Sequence, residues 1–283
     1  MKTRAKSAFI MAPLLVIIFL GGYCLVVGVI ALTILALHEF SAAFGDKKPS
    51  IWALCASACL LYVCYFLQLL HTFAYLPLWL FVSLVLSFLS MFDMKKTDLG
   101  QGMATILGMI YIIFLSFHLV LVDNAFTEPF DIAGGLGFDG VFYISGLHTY
   151  VWIIVLSAFG ADIFAYFTGK LLGSRPLCPS ISPKKTIEGS VGGVLGSLLL
   201  CGLFGYFFLS DGFVDCLIIG VLGGVVSQLG DLSASVMKRR IGIKDWGTLI
   251  PGHGGVLDRV DSILFTAPLV YYFLMIKESL AVL

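Results

Sequence analysis

Nine apolar runs, near 5–20, 22–44, 51–69, 73–92, 102–122, 143–168, 189–209, 213–237 and 262–281, occupy most of this chain and constrain its fold more than any other feature. Crossing the hydrocarbon of a bilayer takes roughly 20 mostly apolar residues. Backbone amides inside lipid have no water to bond, so each run must close its hydrogen bonds within itself as a helix. The 59% hydrophobic content exceeds the roughly 45–50% of soluble domains. The expected fold is an all-α integral membrane protein, a polytopic bundle of about nine transmembrane helices. Only the residues "GGY" separate the first two runs, and reading those as one bent helix gives eight.

Positive charge decides between the two counts. Lys2, Arg4 and Lys6 precede the first run, Lys47 and Lys48 follow the second, and Lys95 and Lys96 the fourth. Lys170, Arg175, Lys184 and Lys185 follow the sixth run. Lys238, Arg239, Arg240, Lys244 and Arg259 lie between the eighth and ninth. With nine spans every cation except Lys277 falls on one side, whereas eight would scatter them over both faces. The positive-inside rule makes that side the cytoplasm, with the N-terminus inside and the C-terminus outside. The 123–142 connection carries four acids and no Lys or Arg, as an outside loop should.

Chemistry is unevenly spread. Residues 1–140 read as an N-terminal transmembrane region of about five spans. Residues 141–283 read as a catalytic region with cytoplasmic loops 169–188 and 238–261. The 24 positions from Lys238 to Asp261 hold eight charged residues, against 12% in the whole chain. The formal net charge of zero points to no nucleic-acid partner. Seven cysteines form no CxxC pair and are expected to be small apolar fillers.

Three carboxylate positions are out of place in lipid. Asp162 lies eight residues before Lys170 and Asp231 seven before Lys238, so both sit roughly 10–12 Å below their basic helix ends. Asp258 and Asp261 open the ninth run from the same side. A lipid-exposed charge costs on the order of 2.5–3.5 kcal/mol, so these acids should face the bundle interior or a wet cavity. Gln228, Asp231, Ser235 and Lys238 step by three, four and three, which places them on one helical face. Glu39, eight residues before Lys47, is a weaker candidate for helix pairing.

Carboxylates without Cys or His clusters suit a hard cation such as Mg²⁺, which keeps waters and phosphate oxygens in its shell. Lysine and arginine beside them suit phosphates. Together these are the parts for phosphoryl or nucleotidyl transfer. In "SPKKTIEGS", Pro183 is expected to fix a turn and Thr186 to cap the following helix. Glycines in "PGHGG" allow a ligand to approach the backbone closely.

The 27 residues "SVMKRRIGIKDWGTLIPGHGGVLDRVD", Ser235 to Asp261, resemble the signature of the phosphatidate cytidylyltransferases, or CDP-diacylglycerol synthases, at every defined position. Two upstream pieces also resemble that family: D-x-x-A-Y-x-x-G-K at Asp162–Lys170 and S-P-K-K-T-x-E-G at Ser182–Gly189. The resemblance implies CTP and phosphatidic acid as substrates within a lipid bilayer, with Mg²⁺ as cofactor and the number of metal ions open. It implies Asp231 and Asp258 as metal-binding and catalytic acids, with Lys238 and Arg259 catalytic. Asp162, Lys184, Lys185, Arg239, Lys244, Asp245, His253, Gly254, Gly255 and Asp261 are then the substrate-binding candidates. The membrane is expected to be the bacterial cytoplasmic one. Another lipid-directed CTP enzyme, a transporter of anionic solutes and a homodimeric assembly all remain open on sequence alone.

Overall fold

The computed structural model describes residues 16–67, 72–92, 97–126, 130–131, 143–144, 148–209, 212–250 and 254–281. Eight long helices account for most of them: α1 (Gly22–Ala43), α2 (Ile51–Leu67), α3 (Thr72–Ser90), α4 (Leu99–Ala125), α5 (Thr149–Leu172), α6 (Ile187–Phe208), α7 (Phe213–Ile241) and α8 (Leu257–Ala281). Two antiparallel strand pairs join them, β1 (Phe130–Asp131) with β2 (Tyr143–Ile144), and β3 (Pro176–Cys178) with β4 (Ser182–Thr186). Six of the described helices are long and apolar enough to cross a membrane, while α2 and α3 are shorter apolar helices. The protein is a helical, multi-pass membrane protein.

The helices match the second to ninth apolar runs, with informative differences at their ends. A helix over 16–20 stops at Gly21, and α1 begins at Gly22; both glycines adopt positive φ (54° and 51°), a region costly for side chains bearing a Cβ. The "GGY" punctuation is thus a real break, although most of the first run lies outside the described residues. Helix α8 starts at Leu257, five residues before the apolar run. Hydropathy reads Asp258, Arg259 and Asp261 as loop, yet an acid in the first turn of a helix is favoured by the helix dipole. The basic loop therefore spans 242–256 rather than 238–261. Pro183 lies inside β4 rather than at the turn, and Thr186 caps α6 by accepting from the Gly189 amide at 3.1 Å.

By packing, the chain divides into two compact units. Residues 33–115 form one. There the Trp79 indole donates to the Ser57 carbonyl (2.9 Å), Ser57 bonds Ser83 (2.7 Å), and Trp79 stacks on Phe114 at 5.5 Å. The part of α4 in this unit starts with a capping box between Asp98 and Gln101 and contains a π-helical turn, Met109–Phe114. Glu39 is buried in it.

Residues 1–32 and 116–283 form the other unit, which carries every motif named above. Helices α5 and α6 share its most extensive contact, followed by α6 with α7 and α7 with α8. Close approach needs small residues. A Cβ added at Gly193 would lie 2.8 Å from the Ala161 carbonyl oxygen and 3.1 Å from Gln228 Nε2. Lys277 near the end of α8 pairs with Asp215 in the first turn of α7. Asp215 and Lys238 are 23 residues apart on one helix, about 35 Å at 1.5 Å per residue, enough to span a hydrocarbon core.

The cysteines only partly follow expectation. Cys64, Cys201 and Cys216 are buried, but Cys24, Cys55 and Cys59 are exposed on apolar helices. In a bilayer an apolar residue on an outward face meets lipid, so no burial in protein is needed.

Candidate active site

A cavity of about 390 Å³ opens where α5, α6, α7 and the β3–β4 hairpin converge. Helix α5 lines it with Asp162, Ala165, Tyr166, Gly169 and Lys170, one face of an i, i+3, i+4 helix stripe. The hairpin supplies Leu177, Lys184, Lys185 and Thr186, helix α6 Gly189 and Ser190, and helix α7 Gln228 and Asp231. Two of the three sequence motifs meet here, together with the acid of the α7 stripe. The volume falls within the roughly 300–1,000 Å³ of small-molecule sites.

The cavity wall is held by polar bonds. Ser190 Oγ and Gln228 Oε1 lie 2.5 Å apart, and Gln228 Nε2 donates to the Ser190 carbonyl (3.1 Å) and the Gly224 carbonyl (2.9 Å). Lys185 Nζ meets Asp231 Oδ2 at 2.5 Å, with both side chains about one-third exposed. Among the described residues, Asp231 Oδ1 has one long contact, 3.5 Å to Ser235 Oγ. Asp162, exposed to the cavity, lies within the electrostatic reach of Asp231, Lys185 and Arg259.

A second cluster sits where α7 hands over to α8. Helix α7 ends in the left-handed Gly242 (φ 83°), with the Ile243 amide bonding back to the Lys238 carbonyl at 2.9 Å. Lys238 Nζ meets Asp258 Oδ1 at 2.5 Å, and both side chains are more than nine-tenths buried. The other oxygen of Asp258 accepts from the Trp246 amide (2.9 Å) and the Gly255 amide (3.0 Å). Gly254, at φ 86°, turns the chain so that the Gly255 amide points at that carboxylate, and a Cβ there would come within 3.2 Å of it. Asp258 thus ties both ends of the loop to the start of α8.

Asp261 links the clusters. It is 6% exposed, accepts from the Ser262 amide at 2.8 Å, and is within electrostatic reach of Asp231, Lys238 and Asp162. Of the remaining sequence candidates, Lys244, Asp245 and Lys184 are exposed. Arg239 folds back: its Nη1 donates to the Ile243 carbonyl (2.9 Å) and its Nε to Ile181 of the hairpin (3.4 Å). His253 lies outside the described residues.

Several participants escaped the sequence reading. Glu188 accepts from the Ser174 amide (3.1 Å) and hydroxyl (2.8 Å), the Arg175 amide (3.2 Å) and Arg175 Nε (3.2 Å), so it clamps the chain leading into the hairpin. Its signal was present, two residues after the Thr186 cap, but a first-turn acid reads as a dipole partner. Tyr166 and Ser190 line the cavity without being charged, and charge was the feature being followed.

Among the described residues, no group of three or more His, Cys, Asp or Glu side chains forms a metal cluster. Carboxylate oxygen is the donor that the site does offer.

The sequence pattern of the Cytidylyltransferase family matches residues 2–277. The chain belongs to that family. Members are CTP-dependent nucleotidyltransferases, and the alternative of an anion transporter is set aside. Similar proteins include one named phosphatidate cytidylyltransferase from Synechocystis, 40% identical over 72% of this chain and 72% of that protein. One of the same name from Bacillus subtilis is 37% identical over 58% of this chain and 65% of its own length. A third, from Helicobacter pylori, is 42% identical over 51% of this chain and 56% of its own.

Proposed function

We propose that this cytidylyltransferase transfers the cytidylyl group of CTP to phosphatidic acid, releasing pyrophosphate and leaving CDP-diacylglycerol in the membrane. The observation that carries the proposal is the cavity in which Asp162, Lys184, Lys185 and Asp231 converge from separate motifs. The names borne by the Synechocystis, Bacillus and Helicobacter relatives support the choice of lipid. The cavity faces the cytoplasm of the bacterial inner membrane, in keeping with sixteen of seventeen cations on that side.

A lipid phosphate is already an anion and needs little help from a general base. Its oxygen attacks the α-phosphorus of CTP in line, forming one P–O bond as the bond to the departing pyrophosphate breaks. The obstacle is repulsion between two polyanions and charge growing on the leaving group. Preorganised cations placed where that charge develops lower such a barrier. Lys185, Lys238 and Arg259 serve this purpose, and Lys184 and Lys244, exposed at the margins, gather phosphate from solution. Phosphatidic acid arrives laterally through the bilayer and CTP from the cytoplasm, and the acids roughly 10–12 Å below the basic helix ends mark their meeting level.

The donor set fits Mg²⁺, which binds through one or two carboxylates plus waters and substrate phosphates. Asp231, with one oxygen nearly unoccupied, and Asp258 would hold it. When bound, it supplies charge neutralisation across the phosphates. In the structure described here the lysines do that neutralising for the acids instead, Lys185 for Asp231 and Lys238 for Asp258. Substrate phosphates compete for those ammonium groups and release the carboxylates.

Purified protein in detergent, given α-labelled CTP, phosphatidic acid and Mg²⁺, should move label into the organic phase. Label transferred only to a different lipid phosphate would keep the chemistry and change the substrate. No transfer to any lipid by folded protein would overturn the proposal.

A further inference from the structure

We infer that Tyr166 holds the cytosine ring of CTP at the mouth of the cavity, with Leu177 of the hairpin as its apolar companion; this rests on the CTP-dependent reading above. Asp162, Tyr166 and Lys170 follow one another at intervals of four on α5, so they share a face and are separated by about 6 Å per step along the axis. All three line the cavity. On one flank of that face Ile163 and Phe167 are exposed, as lipid-facing residues are, and on the other Ala161 is buried and Ala165 lines the cavity. Tyr166 is 63% exposed yet sits among three lysines and two acids rather than among hydrophobic neighbours alone.

A nucleoside triphosphate has one flat aromatic end and one polyanionic end. Its α-phosphorus must reach the carboxylates for the reaction to occur, which places it near Asp162 and Asp231. The phosphates then meet the cations that bear on the site's acids, Lys185 and Arg259 on Asp162 and Lys238 on Asp261. The base lies one ribose away from the α-phosphate, and one helical step outward along α5 from Asp162 is Tyr166. The ribose spans that step. Tyr166 is the aromatic side chain among those lining the cavity, and Leu177 the large aliphatic one. Both amide hydrogens of Gln228 are committed, to the Ser190 and Gly224 carbonyls, so this side chain has no donor left for the base edge, and flat contact with Tyr166 holds the ring without one. Phenol on pyrimidine works through the ring rather than the hydroxyl, which separates it from a hydrogen-bonding role.

The test measures equilibrium binding of labelled CTP with Mg²⁺ to the full chain in detergent, with inorganic tripolyphosphate as a competitor that has no base. Tyr166→Ala should weaken CTP about 10-fold, the scale of one base stacked on one aromatic side chain, and leave the tripolyphosphate inhibition constant unchanged. Tyr166→Phe should bind CTP like the unsubstituted protein. In turnover, Tyr166→Ala should raise KM for CTP while KM for phosphatidic acid stays put. Unchanged CTP binding in Tyr166→Ala overturns the inference. So does an equal loss of CTP and tripolyphosphate, which would mean a distorted cavity. Unsubstituted protein that binds CTP with the expected Tyr166 dependence but transfers nothing to phosphatidic acid would sink the reaction and leave the ring contact standing.

Discussion

Lys238 and Asp258, twenty residues apart on different helices, meet at 2.5 Å with both side chains almost wholly buried. Removing one partner of such a pair strands the other without water, at a cost of about 3–5 kcal/mol. Asp258→Ala should therefore lower thermal stability in detergent markedly and expose the 242–256 loop to protease. Asp258→Asn keeps the shape and can still accept from the Trp246 and Gly255 amides, but it also leaves the buried Lys238 ammonium uncompensated, so it should share part of that stability loss; per folded molecule, turnover should fall by a factor of 100 or more, the roughly 10²–10³ of a lost electrostatic group. Near-normal turnover in Asp258→Asn would remove this acid from the chemistry.

The pair of Lys185 with Asp231 has the same 2.5 Å separation in a different setting. Its side chains are 27% and 30% exposed, so water screens the pair and its contribution to stability should be about 0–1 kcal/mol. Asp231→Asn and Lys185→Met should melt close to the unsubstituted protein yet lose turnover about as severely as Asp258→Asn. Thermal melts run beside the label-transfer assay separate the two pairs. A large stability loss in Asp231→Asn would make this a structural bridge.

How much of this was legible beforehand follows from what each signal depends on. Hydropathy depends on local composition, so the helices over the second to ninth runs could be read, and the depth of Asp162 and Asp231 followed from counting residues to Lys170 and Lys238. Helix capping by Thr186 is equally local. The pairing of Lys238 with Asp258 is not, because nothing in either residue's neighbourhood says which lysine meets which acid. The start of α8 at Leu257 was hidden for a related reason. Three charges in five residues look like loop to any hydropathy window, and Asp258 is tolerated there because Lys238 and the amides of Trp246 and Gly255 meet its two oxygens. Likewise Glu188 became a clamp through Ser174 and Arg175, partners supplied by the path of the hairpin.

Asp98 offers a test by pH outside the spans. The Gln101 amide, and then Lys47 at 3.2 Å, hold its carboxyl below the ordinary value of 3.8. A depressed folded-state pKa means the carboxylate stabilises the folded form above the unfolded pKa and loses that effect as pH falls through the folded one. Hydrogen-exchange protection in the first turn of α4 should accordingly hold at neutral pH and decline below about 3.8. Asp98→Asn, whose amide oxygen can still cap but carries no charge, should show a flat profile over the same window. An identical acid-side decline in both proteins would assign it to other groups.

Gly193 tests whether the cavity depends on the closeness of α5 and α6. An added methyl would lie 2.8 Å from the Ala161 carbonyl oxygen, a backbone atom that cannot rotate away, and 3.1 Å from both Ala165 Cβ and Gln228 Nε2. Relief requires the helices to part, and overpacking of this kind costs about 1–3 kcal/mol. Parting them moves Ala165 and Gln228, both on the cavity wall, and so spreads Asp162 from Asp231. Gly193→Ala should then lower both melting temperature and turnover, with KM for CTP rising. A matched change on a lipid-facing position of the same helix, Leu195→Ala, should leave all three near their starting values, since Leu195 is 59% exposed. If Gly193→Ala kept full turnover and CTP affinity, the α5–α6 seam would be a matter of stability alone and the cavity would owe its shape to the hairpin and α7.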